Sequence, residues 1–180
     1  MTHAVSKIGV FGLAVLVLFL VNCGSSGSAI AYNDEIVKLQ TNVIERVLDL
    51  VEAFKTRQPE AMKAKLRLFQ QEATKSADAI ADMAGFEGDV ALREAALELM
   101  EFYESVSQNE FATMIDILSK PDSAITEYDV ERLKEIESQV SAEEKELDMK
   151  LQRVQDEFAR KHNIRIKANK IQRKIDDLNR

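Results

Sequence analysis

The sequence predicts an all-α fold, an up-down antiparallel four-helix bundle with a long, overhanging C-terminal helix. Three observations carry that expectation. Glycines stand only at 9, 12, 24, 27, 85 and 88 and prolines only at 59 and 121, so 28–84 and 89–180 are long runs without glycine. Gly and Pro are the strongest helix breakers, and their scarcity leaves long helices as the natural state. Apolar residues then recur at heptad-like spacing, and the connections between stripes are short, which favours antiparallel neighbours.

At 180 residues the chain holds one domain plus a targeting segment. Residues 1–22 read as a signal peptide. Lys7 precedes the uncharged run Ile8–Val21, whose 14 residues would span about 21 Å as a helix, short of a hydrocarbon core of about 30 Å. Leu20-Val21-Asn22-Cys23 resembles the lipobox of bacterial lipoproteins, although Asn22 stands where Gly, Ala or Ser is usual. The resemblance implies that Cys23 receives a diacylglyceryl thioether and becomes the mature N-terminus. Cys23 is the only cysteine, so no intrachain disulfide can form, and it opens Gly24–Ser28, so 23–32 reads as a lipidated, flexible tether. Gly24, rather than Asp, after the cysteine favours the outer membrane or surface by the same resemblance. Ala29-Ile30-Ala31 offers the alternative, an ordinary signal-peptidase site releasing a soluble periplasmic protein that begins at Tyr32.

Residues 33–159 form the expected bundle. The first helix, 34–57, is opened by Asn33 as N-cap and striped by Ile36, Val37, Val43, Ile44, Val47, Leu50, Val51 and Phe54. Pro59 suits a first helical position and starts the second helix, 59–84, along Met62, Leu66, Phe69, Ala73, Ser76 or Ala77, Ile80 and Met83. Gly85-Phe86-Glu87-Gly88 reverses the chain, with Phe86 plugging the end of the core. Asp89 can cap the third helix, 89–119, whose stripe runs from Leu92 to Leu118 and lapses at Asn109 and Glu110, where a bend or polar contact is expected. Pro121 stops it. Thr126 to Asp129 reads as a capping-box variant opening the fourth helix, 127–162. That helix would be about 54 Å long against about 36 Å for the first, so it must overhang or bend. Its stripe lapses at 141–146.

Charge is unevenly spread. Residues 33–159 carry 15 Lys/Arg against 29 Asp/Glu, while 160–180 carry 8 against 2. An acidic body argues against nucleic-acid binding, which needs phosphates neutralised. Residues 160–180 read as a basic helical extension, with Ile164, Ile171 and Leu178 seven apart. Its end is a solvated helix, a coiled-coil seam for another copy or a protein partner, or a contact for an anionic surface through Arg160, Lys161, Arg165, Lys167, Lys170, Arg173 and Lys174.

Chemistry is sparse. The histidines are His3, in the leader, and His162. Paired Glu-x-x-His motifs for a di-iron site and Cys/His clusters for zinc are missing from the sequence, so no metal and no cofactor are expected. Glu94, Glu98 and Glu101, and the cluster Glu143, Glu144, Glu146 and Asp148, fall on the solvated side by amphipathic spacing. General acid-base work needs a carboxyl in an apolar pocket, and the expectation is that the chain is not an enzyme. Phe69, Phe102 and Tyr103 could line a pocket for a small apolar ligand, which would suit a soluble carrier; as plain core they need no ligand.

The segment Gly85–Ala96, running on through Phe102-Tyr103-Glu104-Ser105-Val106 and Met114–Leu118 to the Glu-rich 141–147, resembles a family of small helical bacterial surface lipoproteins best known among spirochaetes. The resemblance covers most of the chain after the leader. It implies export and a helical fold, and no particular activity.

Overall fold

The computed structural model describes residues 18–21 and 27–168, with side chains for 27–165. The protein is helical, as expected. Its helices are α1 (Gly27–Thr56), α2 (Pro59–Ala81), α3 (Ala91–Gln108), α4 (Glu110–Leu118) and α5 (Glu127–Lys161), with a short 3-10 turn at Asp122–Ala124. Two four-residue strands, β1 (Leu18–Val21) and β2 (Arg165–Ala168), pair antiparallel with Leu18 opposite Ala168 and Val21 opposite Arg165. The sequence gives almost no sign of this pair.

Each helix follows from its local chemistry, with two departures. Pro59 occupies the start of α2, where its missing N–H costs nothing. Thr126 and Asp129 form a full capping box: Thr126 Oγ1 accepts from the Asp129 N–H at 3.1 Å, and Asp129 Oδ2 accepts from the Thr126 N–H at 2.9 Å. Asn33, however, is no N-cap. It is fully buried inside α1, which begins six residues earlier and takes in Gly27–Tyr32, so the tether read over 23–32 gives way to helix from Gly27. Ala29 is buried and Ile30 and Tyr32 pack against the core, which explains why the helix continues upstream of Asn33.

The expected third helix is two. At Asn109 (φ −112°, ψ −73°) the ladder breaks, and the Asn109 Nδ2 donates to the Ser105 carbonyl at 2.9 Å. An Asn side chain competing for nearby backbone groups is the physical reason for a break here. Between α2 and α3, Gly88 takes φ +84°, while a Cβ on Gly85 would sit 2.8 Å from the Asp89 carbonyl oxygen. Both positions need glycine for different reasons.

The core gathers the predicted stripes. Ile36, Ile44, Leu50, Met62, Phe69, Ile80, Leu99, Met114 and Leu133 are all buried. Contacts fix two poles. At one, Tyr32 of α1 meets Phe86 of the α2–α3 turn at 5.4 Å and Phe158 near the end of α5 at 6.0 Å between ring centroids. At the other, the Arg57 guanidinium donates to Asp122 at 2.5 Å and to the Leu118 carbonyl at 3.4 Å.

The expected overhang of the last helix is corrected by the first pole. The final turn of α5 is covered by Tyr32 and Phe86, and Lys161 pairs with Asp89 at 2.6 Å. The helix ends in a Schellman motif. Asn163 takes φ 54°, its N–H donates to the Arg160 carbonyl at 3.3 Å, and the Ile164 N–H donates to the Ala159 carbonyl at 2.8 Å. The chain continues as β2, so the helical extension expected over 160–180 does not hold at 165–168; residues 169–180 lie outside the described residues.

Phe69 is fully buried against Tyr103 and Phe111 at 6.2 and 5.7 Å. Phe69→Ala is expected to lower the unfolding free energy by about 3–5 kcal/mol, measured by urea denaturation, as a large cavity in a closed core requires. A loss under about 1 kcal/mol would show that the site collapses freely or is not core.

Candidate functional site

The most unusual chemistry lies inside the helical core. Reading α5 by burial, its inward face runs Leu133, Ile136, Val140, Glu144, Asp148, Leu151, Gln155 and Phe158, an unbroken series of three- and four-residue steps. The lapse in the apolar stripe is therefore no interruption of the seam. Polar residues fill the same inward positions, and the expectation that Glu144 and Asp148 are solvated is overturned: they are 2% and 6% exposed.

Each polar position has a counterpart. Tyr103 of α3 donates its phenol to Glu144 Oε1 at 2.7 Å. One turn further on, Asp148 adds a second carboxyl on the same face of α5. Gln155 Nε2 donates to Asn33 Oδ1 of α1 at 2.6 Å. Gln40, seven residues after Asn33, is also buried, and the side-chain nitrogens of both find no acceptor among the described residues. In α2, Ser76 reaches the Leu39 carbonyl at 3.4 Å, and Gln70 donates to the Ser107 carbonyl of α3 at 3.0 Å.

Burial sets the protonation of this cluster. Loss of solvent pushes the Glu144 carboxyl up to about 7; the Tyr103 hydrogen bond opposes the rise, and Asp148 adds to it. Tyr103 is driven well above the usual phenol range, first by burial and then by Glu144 and Asp148. A carboxyl titrating near neutrality beside a phenol has the acidity of an acid-base group. Here, however, the groups hold a proton within a closed core. Among the described residues no group of three His, Cys, Asp or Glu side chains is arranged to hold a metal ion.

An open feature borders the middle of the same helix. A cleft of about 460 Å³ separates the α3–α4 break from the middle of α5, with Phe102, Val106 and Val140 toward its floor and Glu110, Glu143 and Glu146 among its lining residues.

The sequence-predicted sites fare unevenly. Phe69 and Tyr103 face one another in the core, with Phe102 beside Tyr103 at 5.5 Å; of the three, only Phe102 lines the cleft. Of the proposed cations, Lys161 pairs with Asp89, Arg160 donates to the Asp156 carbonyl at 3.3 Å, Arg165 is exposed and Lys167 lies in β2. His162 packs edge-on to Phe86 at 4.9 Å. Cys23, Lys170, Arg173 and Lys174 lie outside the described residues. No family model matches the chain, and neither does any curated protein or solved structure.

The raised Glu144 pKa fixes how stability depends on pH. The folded state holds this proton more tightly than the unfolded chain, whose ordinary value is 4.5. The contribution is thus complete below about 4.5 and lost as pH rises to about 7, amounting to roughly 3 kcal/mol. Asp129 acts oppositely: the Lys120 ammonium and Thr126 hold it down to about 2, so its contribution is present above 3.8 and lost as pH falls through 2. Glu144→Gln, which keeps an acceptor for Tyr103, is expected to match the native chain in urea stability at pH 4.5 and exceed it by about 1–3 kcal/mol at pH 8. Equal stability differences at both pH values would contradict the assignment.

Proposed function

We propose that the chain is an exported, lipid-anchored helical envelope protein that acts by binding or scaffolding, without catalysis. The observation that carries this reading is the leader. A cation, a 14-residue uncharged run and then Leu20-Val21-Asn22-Cys23 precede a chain with no other cysteine. Two or three acyl chains on Cys23 would hold the protein firmly, since each buried CH₂ contributes about 0.8 kcal/mol. Among the described residues no helix is long and apolar enough to cross a membrane; anchoring in this reading comes from the lipid. Gly24 after the cysteine favours the outer membrane or surface by the lipobox resemblance, and the amphipathic helices suit a protein partner or self-association.

In the same reading the body is an up-down-up-down bundle, α3 and α4 together serving as its third member. Support comes from the two poles: the start of α1, the α2–α3 turn and the end of α5 share one, and the end of α1 and the α4–α5 connection share the other. Such a body offers surfaces, not a reaction centre. Its polar cluster is enclosed, and its exposed carboxylates are spread along helices. Cleavage before Cys23 would also remove β1 and leave Arg165–Ala168 without the strand it pairs with. The soluble carrier cleaved after Ala31 is less favoured, because Phe69 and Tyr103 are packed against one another.

Growth with labelled palmitate tests the anchor. The native chain is expected to take up label and fractionate with membranes, whereas Cys23→Ala takes up none. A native chain that stays unlabelled and soluble rules the reading out.

A further inference from the structure

The middle of α5 is fastened to the fold through a carboxyl. From Ser141 to Leu147 the single buried residue is Glu144, with Val140 one turn before it and Asp148 one turn after. The hydrogen bond from Tyr103 joins α5 to α3 at this level. On the outer side Lys150 pairs with Glu98, both half exposed, and a pair so open to water holds little. The two ends of α5 are held by other means. Its start carries the capping box and the Lys120–Asp129 pair; its end has Gln155 on Asn33, Lys161 on Asp89 and Phe158 against Tyr32 and Phe86. α3 in turn is tied to α2 by Gln70 on the Ser107 carbonyl and Thr74 on Glu104.

A charge on Glu144 would have no counterpart in this seam. The buried residues of α1, α2 and α4 include no charged side chain, α3 brings Tyr103, and α5 itself brings Asp148, a second acid. No cation among the described residues acts on the carboxyl. Solvent, however, is close at hand. The cleft reaches Phe102 beside Tyr103, Val140 one turn before Glu144, and Glu143 next to it in the chain. A short outward shift of the mid-helix exposes the carboxylate there without releasing either end.

We propose that the middle of α5 is a proton-operated latch: with Glu144 neutral it lies closed on Tyr103, and on losing its proton the segment 140–148 parts from α3 and widens the cleft while both ends of the helix stay docked. This goes beyond the anchored-scaffold reading and stands whether or not Cys23 carries lipid. The closed form keeps the proton up to about 7, an exposed carboxyl only to its ordinary 4.5. Between those values each opening releases one proton, so the open fraction rises about tenfold per pH unit and levels off above them.

Amide hydrogen exchange of the full chain in nonionic detergent, read by mass spectrometry on short peptides and corrected for the intrinsic pH dependence of exchange, tests the latch. From pH 5 to 7.5, protection over 140–148 is expected to fall at least about tenfold. At pH 7.5 it should lie at least about tenfold below that of α2 and of 152–161, as a local opening requires. Glu144→Gln should abolish the pH dependence at 140–148, and retained protection of α2 shows that the variant is folded. Four results overturn the proposal. Protection over 140–148 equal to that of α2 at pH 7.5 means that Glu144 is exposed only by global unfolding. A loss shared equally by 152–161 means that the whole helix leaves. No fall between the two pH values means that no proton operates the opening, and a fall that survives in Glu144→Gln assigns it to another group.

Discussion

Burying the inward face of α5 is the constraint around which the rest of this helical fold is arranged. That face carries Glu144, Asp148 and Gln155 among Leu133, Ile136, Val140, Leu151 and Phe158. A carboxyl taken out of water is costly unless it is protonated or hydrogen-bonded. Tyr103 answers Glu144, and Asn33 answers Gln155. Because each partner sits on a different helix, sliding α5 by one turn would separate both pairs. The apolar residues drive collapse, and the polar ones select a register, as single buried amides do in coiled coils.

The same constraint accounts for α1. Asn33 belongs to the seam, so the helix must run upstream of it, and with that extension Tyr32 reaches Phe86 and Phe158. The first helix thereby gains the length needed to cover the far end of α5. The side-chain nitrogens of Asn33 and Gln40 find no acceptor among the described residues, which costs stability. The polar seam is therefore better understood as fixing alignment than as strengthening the fold.

Much of the architecture is legible in the sequence. The stripe from Met62 to Ile80 is buried where heptad spacing puts it, Pro59 begins its helix, and Thr126 with Asp129 caps the last one. Asn109 marks the break in the third stripe, and the structure places the break there. What the sequence hides is polar burial. Hydrophobic periodicity treats Glu144, Asp148 and Gln155 as gaps, although their spacing of four and seven continues the seam; position, more than residue type, was the available signal. Asn33 misleads for a related reason. An Asn before an apolar stripe has the chemistry of an N-cap, and only its hydrogen bond to Gln155 across 122 positions reveals that it is interior. The β1–β2 pair joins the two ends of the described chain, a long-range contact to which local periodicity is blind.

The claim that a hydrogen-bonded carboxyl sits inside the helical core is tested most directly by its own titration. Carbon-13 NMR of the Glu144 side-chain carboxyl, assigned by comparison with Glu144→Gln, should show a midpoint near 7. A midpoint near the ordinary 4.5 would mean that this carboxyl faces water, and the account of the seam would fail.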